Sequence, residues 1–177
     1  AARETADLSQ KLLLLDRAKA ISPLSQMEDI DLNQALPEWV ESARATGSSD
    51  IDIDLRIAAN LGALHGDPTM LREAVRNLID NALRHGGTSL SRITIEATRS
   101  ADHIALSVID NGVGMSPEEV LTAQERFRSK SGSSGSGLGL AIIEAVVQGH
   151  GGGFRFMPSD TGTKAEIMLP TAPVSDW

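Results

Sequence analysis

Hydrophobic positions along this chain recur with two periods, near 3.6 in some stretches and 2 in others, and the alternation between them predicts the order of elements. Residues 4 to 20, ETADLSQKLLLLDRAKA, put Leu8, Leu12 and Leu15 on one helical face, widened by Leu13 and Leu14. This helix starts almost at residue 1 without a cap, as either the cut end of a longer helix or a short N-terminal helix docked on its own domain would. A polar break at residues 22 to 28, containing Pro23, divides residues 1–25, a helix end plus linker, from a main domain at 26–177. Within that domain a short strand is expected at residues 30 to 33, a helix at 36 to 46 and a turn at 47 to 50. Ile51, Ile53, Leu55 and Ile57 then alternate with Asp52, Asp54 and Arg56, as in a half-buried strand.

Residues 67 to 86, DPTMLREAVRNLIDNALRHG, form the strongest helix signal, with Asp67 as N-cap, Pro68 in the first turn and Gly86 and Gly87 as the stop. Leu71, Ala74, Val75, Leu78, Ile79 and Ala82 share one face, which calls for a core. Glu73, Asn77, Asp80, Asn81 and Arg84 share the other. Two asparagines one turn apart are poor helix formers, so this face is either an ordinary solvated one or a site whose oxygen ligands and cation suit a metal ion beside an anion.

Further on, residues 92 to 98 and 103 to 109 predict strands joined as a hairpin through residues 100 to 102. A short helix is expected at 116 to 124, a mobile Gly- and Ser-rich segment at 129 to 137, and an apolar helix at 138 to 148 ended by Gly149. Strands at 153 to 157 and 163 to 169, joined by a turn at 159 to 162, complete the chain. Hairpin-linked strands with separate helices predict an α+β fold, a two-layer α/β sandwich, rather than a doubly wound parallel sheet.

Composition narrows the chemistry. The chain has 177 residues and no cysteine, which removes disulfides, thiolate zinc sites and cysteine nucleophiles and suits a reducing cytoplasm. A formal net charge of −8, with three Phe, two Trp and no Tyr, offers neither a basic stripe nor a stacking platform for nucleic acid. No apolar run reaches the roughly 20 residues of a membrane span. His65, His85, His103 and His150 lack metal-ligand spacing, and neither GxSxG nor GxxxxGK[ST] occurs.

Three segments are candidates for chemistry. Asp110-Asn111-Gly112-Val113-Gly114 directly follows a strand and is either a plain turn or a carboxylate at the rim of a pocket whose glycines admit a ligand close to the backbone. Gly132, Gly135, Gly137 and Gly139 lead into the apolar helix, where backbone N–H groups and the helix dipole favour a phosphate. A flexible linker explains residues 129 to 134 equally well, but not glycines tied to a helix start. Arg126, Arg128 and Lys130 gather positive charge just before that loop, as a solvated surface or as a lid carrying cations to a polyphosphate.

Taken in order, NLIDNALRH, DNGVG, ERFR, GSGLGLAI and GTKAEIMLP resemble the N, G1, F, G2 and G3 boxes of bacterial sensor histidine kinases. The resemblance covers residues 30 to 170. It implies the Bergerat-type ATP-binding fold shared with gyrase, the Hsp90 chaperones and MutL, with a mixed, mostly antiparallel sheet under three helices and a lid over residues 115 to 136. The implied cofactors are ATP and Mg²⁺. Asn81 would ligate the metal, with Asn77 beside it as a ligand or phosphate donor. Arg84 would meet the phosphates, and His85 would stand where an aromatic ring packs by the nucleotide. Asp110 would accept from the adenine amino group, Gly112 and Gly114 would shape the purine slot, and Thr163 would support it through water. Gly135, Gly137, Leu138 and Gly139 would cradle the phosphates. Arg126 would reach the γ-phosphoryl group, making it and Asn77 the catalytic pair.

Two departures accompany the match. Gln124 stands where the F box has an aromatic three residues before Phe127, which implies a lid held less firmly. None of the four histidines falls in a phosphoacceptor box, and residues 1 to 20 resemble the end of the second helix of a dimerisation hairpin. The implied activity is donation of the γ-phosphoryl group to a histidine on a separate phosphoacceptor domain of the same parent, in cis or in trans. A response regulator receiver domain would lie downstream. The implied parent is a homodimer, with this domain on the cytoplasmic side whether or not the parent is membrane-anchored. Superfamily hydrolases carry Glu at the place of Asn77, and an amide cannot act as a base, so transfer is favoured over ATP hydrolysis. A serine kinase of the same superfamily and a non-catalytic nucleotide sensor or docking module are the other readings.

Overall fold

The computed structural model describes residues 26–45, 50–128, 137–159 and 161–171, with Ser9, Leu12, Leu13, Leu15 and Asp16; the side chains at 124, 126–128 and 158 lie outside that set. Most of the N-terminal helix expected at residues 4 to 20, the boundary behind it and the segment 129–136 fall outside the described residues. The elements run β1 (Glu28–Asp31), α1 (Leu32–Arg44), β2 (Asp52–Ile57), β3 (Ala63–Gly66), α2 (Pro68–His85), β4 (Arg92–Arg99), β5 (His103–Asp110), α3 (Pro117–Arg128), α4 (Gly137–Gly149), β6 (Gly153–Ser159) and β7 (Gly162–Pro170).

Five strands form one mixed sheet in the order β2-β4-β5-β7-β6, with β2 and β4 parallel and every other pair antiparallel. The parallel pair is joined through β3 and α2, the long crossover such a pairing requires. A separate antiparallel ribbon joins β1 to β3. Helices α1, α2 and α4 are the three expected over the sheet, and α3, expected at 116 to 124, extends to residue 128 and lies against β6.

The core lies between these layers. Ile93, Ile95, Ile104, Leu106, Ile167 and Leu169 from the sheet meet Leu71, Leu78 and Ile79 of α2 and Ile142, Ile143 and Val146 of α4, all buried. Each such side chain withdrawn from water contributes about 1.5–3 kcal/mol. The reverse face of the sheet carries a row in register across all five strands: Arg56, Glu96, Ser107, Glu166 and Arg155. Glu166 is buried there, accepting from Ser107 Oγ at 2.9 Å and Arg155 Nε at 2.8 Å, with Lys164 Nζ at 3.2 Å. Burial pushes its carboxyl up, and the bonds from Arg155, Ser107 and Lys164 outweigh that, so its pKa is lowered.

Local chemistry explains where elements begin. Asp67 Oδ1 accepts from the backbone N–H groups of Thr69 and Met70, the N-cap expected for α2, and Gly87 takes φ +73° just past its end. Asp31 caps α1 in the same way through Asn33 N, so that helix starts at Leu32 rather than at residue 36, and the first strand ends at Asp31 rather than at 33. Pro37 lies inside α1, where its missing N–H leaves the Asn33 carbonyl without its usual donor. Strand β3 was not expected, being four residues long.

Candidate functional site

The polar face of α2 is set against the start of α4. Asn77 is buried, and its Nδ2 donates to the Glu73 carbonyl at 2.8 Å, which turns Oδ1 outward from the helix. A Cβ built on Gly139 would stand 3.0 Å from that oxygen, so the glycine lets the two helices meet at this point. Asn81, one turn on, is half-buried and makes no hydrogen bond among the described residues. Arg84 and His85 are exposed in the last turn.

The end of α2 reaches the turn after β5 through bare backbone. A Cβ on Gly112 would overlap the Gly86 carbonyl oxygen, and that same oxygen accepts from Val113 N at 2.9 Å. Asp110 is buried; its Oδ1 accepts from Gly112 N at 2.9 Å and Thr163 N at 3.3 Å. Among the described residues all hydrogen bonds to this carboxylate fall on Oδ1, which leaves Oδ2 for another donor. A Cβ on Gly162 would overlap the Asp110 carbonyl, and Gly114, at φ +72°, sits against the Gly162 carbonyl. Thr163 is buried at the start of β7.

Asn111 holds this turn in place. Its Oδ1 accepts from Ser91 N and Arg92 N at 3.0 and 2.9 Å, and its Nδ2 donates to Ser91 Oγ. Sequence reasoning passed over this residue, because an asparagine in a DNG turn is ordinary. It also read Gly86 only as a helix stop and Gly162 only as a turn residue, since nothing in a sequence reports the close approach of two distant backbones.

The structure thus joins Asn77 to Gly139 midway along α2, and joins Gly112, Asp110, Thr163 and Gly114 through pairwise contacts beyond the end of that helix, with Asn81 between the two places on α2. Gly137 and Leu138 form the first turn of α4, with Leu138 half-buried. Gly135 lies outside the described residues, and of Arg126 only the backbone, within α3, is described. Helix α3 begins in a reciprocal box: Ser116 N donates to Glu119 Oε2 at 2.8 Å and Glu119 N to Ser116 Oγ at 3.2 Å, which lowers the Glu119 pKa. Among the described residues no three histidine or acidic side chains gather to hold a metal. What the arrangement offers is an amide oxygen, a second free amide, the N-terminus of α4 and, at the far end, a buried carboxylate oxygen. Such a set suits an elongated ligand, anionic at one end and bearing an N–H donor at the other.

Comparison with known proteins bears on which ligand that is. Residues 66–173 match the family model described as histidine kinase-, DNA gyrase B-, and HSP90-like ATPase. The chain is 32% identical over 177 residues to the sensor-like histidine kinase SenX3 of Mycobacterium tuberculosis, an alignment covering 96% of this chain and 42% of that protein. The chain thus spans less than half the length of this curated relative. Among solved structures, the mycobacterial sensor histidine kinase MprB superimposes with a TM-score of 0.66 at 32% identity, over 84% of this chain and 99% of that one. The ATP binding domain of PrrB from Mycobacterium tuberculosis gives 0.67 at 27%, again over 84% and 99%.

Proposed function

Because the chain belongs to the histidine kinase-, DNA gyrase B- and HSP90-like ATPase family, we propose that it binds MgATP along α2 and donates the γ-phosphoryl group to a histidine on a separate phosphoacceptor domain. The observation that carries this reading is the meeting of Asn77 Oδ1 with Gly139 midway along α2, nine residues before the Gly86–Gly112 contact that seats Asp110. A phosphate tail and a base, held at those two places, fit one nucleotide.

In this reading Asp110 Oδ2 accepts from the adenine amino group, while Oδ1 stays engaged by Gly112 N and Thr163 N and fixes the carboxylate plane. Gly112 and Gly114 form the walls of the purine slot, and Thr163 supports it through water. His85 packs beside the nucleotide, and Arg84 meets the phosphates. Gly135, Gly137, Leu138 and Gly139 direct backbone N–H groups at the phosphates, helped by the dipole of α4. Arg126 approaches the γ-phosphoryl group, where positioning and charge neutralisation carry most of the catalysis.

The residues present fit Mg²⁺. Among the described residues the Asn81 amide makes no hydrogen bond, and Asn77 Nδ2 is directed to the Glu73 carbonyl, so each can present an oxygen. One or two protein oxygens with phosphates completing the shell is the usual way this ion is held. When bound, it neutralises charge on the phosphates. Asn77 carries no carboxylate, so the helix supplies no base to activate water at that position, which favours transfer over ATP hydrolysis.

The proposed partners are a phosphoacceptor histidine domain of the same parent, in cis or in trans, and a response regulator receiver domain, with the full-length parent a homodimer. The proposed location is the cytoplasmic side; no helix among the described residues is long and apolar enough to cross a membrane. Labelled ATP, magnesium and a histidine-bearing hairpin added in trans test the reading. Label transferred to the hairpin is expected. Tight nucleotide binding with no transfer would instead make this a sensing module, and label released as free phosphate would make it an ATPase.

A further inference from the structure

At the end of the α2–α4 pair remote from Gly139, one buried imidazole joins the two helices. His150 Nδ1 lies 2.6 Å from the Val146 carbonyl oxygen, and its Nε2 lies 2.9 Å from the backbone nitrogen of Asp67. A carbonyl only accepts and a backbone N–H only donates, so the partners require a neutral ring with its proton on Nδ1 and its lone pair on Nε2. The fit is tight: a Cβ on Gly66 would stand 3.0 Å from His150 Cδ2 and 2.7 Å from Leu71 Cδ1.

The two helices run antiparallel and meet at two places. Asp67, the cap of α2, meets His150 just past the end of α4, and Asn77, midway along α2, meets Gly139 in the first turn of α4. The separation along each helix is ten or eleven residues, about 15 Å of helical rise. Sliding α4 along α2 would break the first contact and change the second by the same amount. We propose that His150 fixes the register of α4 against α2 and thereby sets the gap between Asn77 and Gly139, making it a positioning residue for the phosphate end of the site. The consequence for nucleotide rests on the ATP-binding reading; the register itself is tested without nucleotide.

Protonating Nε2 would oppose its N–H to that of Asp67, and one of the two must give way. Burial holds the ring below the ordinary histidine value, against the pull of the Val146 carbonyl and the Asp67 carboxylate and with a further push from His65. The latch is therefore closed at neutral pH and opens only below about 6.5.

In the ¹⁵N-labelled, nucleotide-free chain taken from about pH 8 to pH 5, the amide resonances of Asp67 and Gly139 are expected to move with one shared midpoint below about 6.5. His150→Gln should abolish that shared titration, since its side-chain oxygen still accepts from Asp67 and does not titrate. By calorimetry near pH 7.5 the Gln variant should bind ATP within about threefold of the native chain, and His150→Leu about tenfold more weakly. The native-minus-Gln difference in affinity across pH removes the titration of the nucleotide's own phosphates. A Gly139 resonance indifferent to the midpoint of Asp67 would overturn the proposal, as would a folded His150→Leu with native affinity. Should the Leu variant not fold, the resonances and the Gln variant decide. Native protein that fails to bind ATP would sink the functional reading alone, because the resonance test needs no ligand.

Discussion

Asn77 and Asn81 stand one turn apart on the same helix, and their surroundings assign them different tasks. Asn77 is buried and tied to Glu73, while Asn81 is half-buried and its amide makes no hydrogen bond among the described residues. Asn81→Ala should therefore abolish magnesium-dependent ATP binding in a calorimetric titration and leave the denaturant midpoint close to native. Ile79→Ala, on the opposite face and fully buried, should instead cost about 2–5 kcal/mol of stability by chemical denaturation. Asp110→Asn replaces an acceptor-only group by one that also donates; it should weaken ATP and narrow its preference over GTP in competition binding, and equal weakening of both would place the base elsewhere. These residues were legible in sequence because each breaks a local expectation: asparagines where a helix favours better formers, a carboxylate beside glycines at a strand end. Asn111, Gly86 and Gly162 break none, and only the folded chain shows what they touch.

At the level of elements, α2 was readable to the residue because its ends are written in side chains: a carboxylate cap and a proline at one end, two glycines at the other. Asp67 is buried at that cap, accepting from two backbone N–H groups. Asp67→Ala should cost about 1–2 kcal/mol in urea denaturation, toward the upper end for a lost cap. Strand β3 was missed because four residues with two buried positions carry too little pattern to separate a strand from a loop. The start of α1 was misplaced because the Asp31 cap precedes the expected start by more than one turn. The loop carrying Gly135 was read from glycine spacing and basic residues alone, and the described residues do not reach it.

For the molecule as a whole, two buried titrating groups give acid sensitivity in separate windows. His150 has a lowered pKa, so above about 6.5 it is neutral folded and unfolded; as pH falls below that, the unfolded chain takes up the proton first and stability drops. Glu166 also has a lowered pKa, so its contribution is present above about 4.3 and is lost as pH falls further and the unfolded carboxyl protonates. Urea midpoints followed against pH should show both declines, with His150→Gln removing the upper and Glu166→Gln the lower. A different consequence follows from the main-chain contacts of Gly86 with Gly112 and of Gly162 with Asp110. Where two distant segments meet through peptide rather than side chain, substitution of flanking residues can retune charge and affinity while the contact itself stays in place. A carbon added to one of those glycines reaches the contact directly and forces whole segments apart instead of adjusting them by degrees.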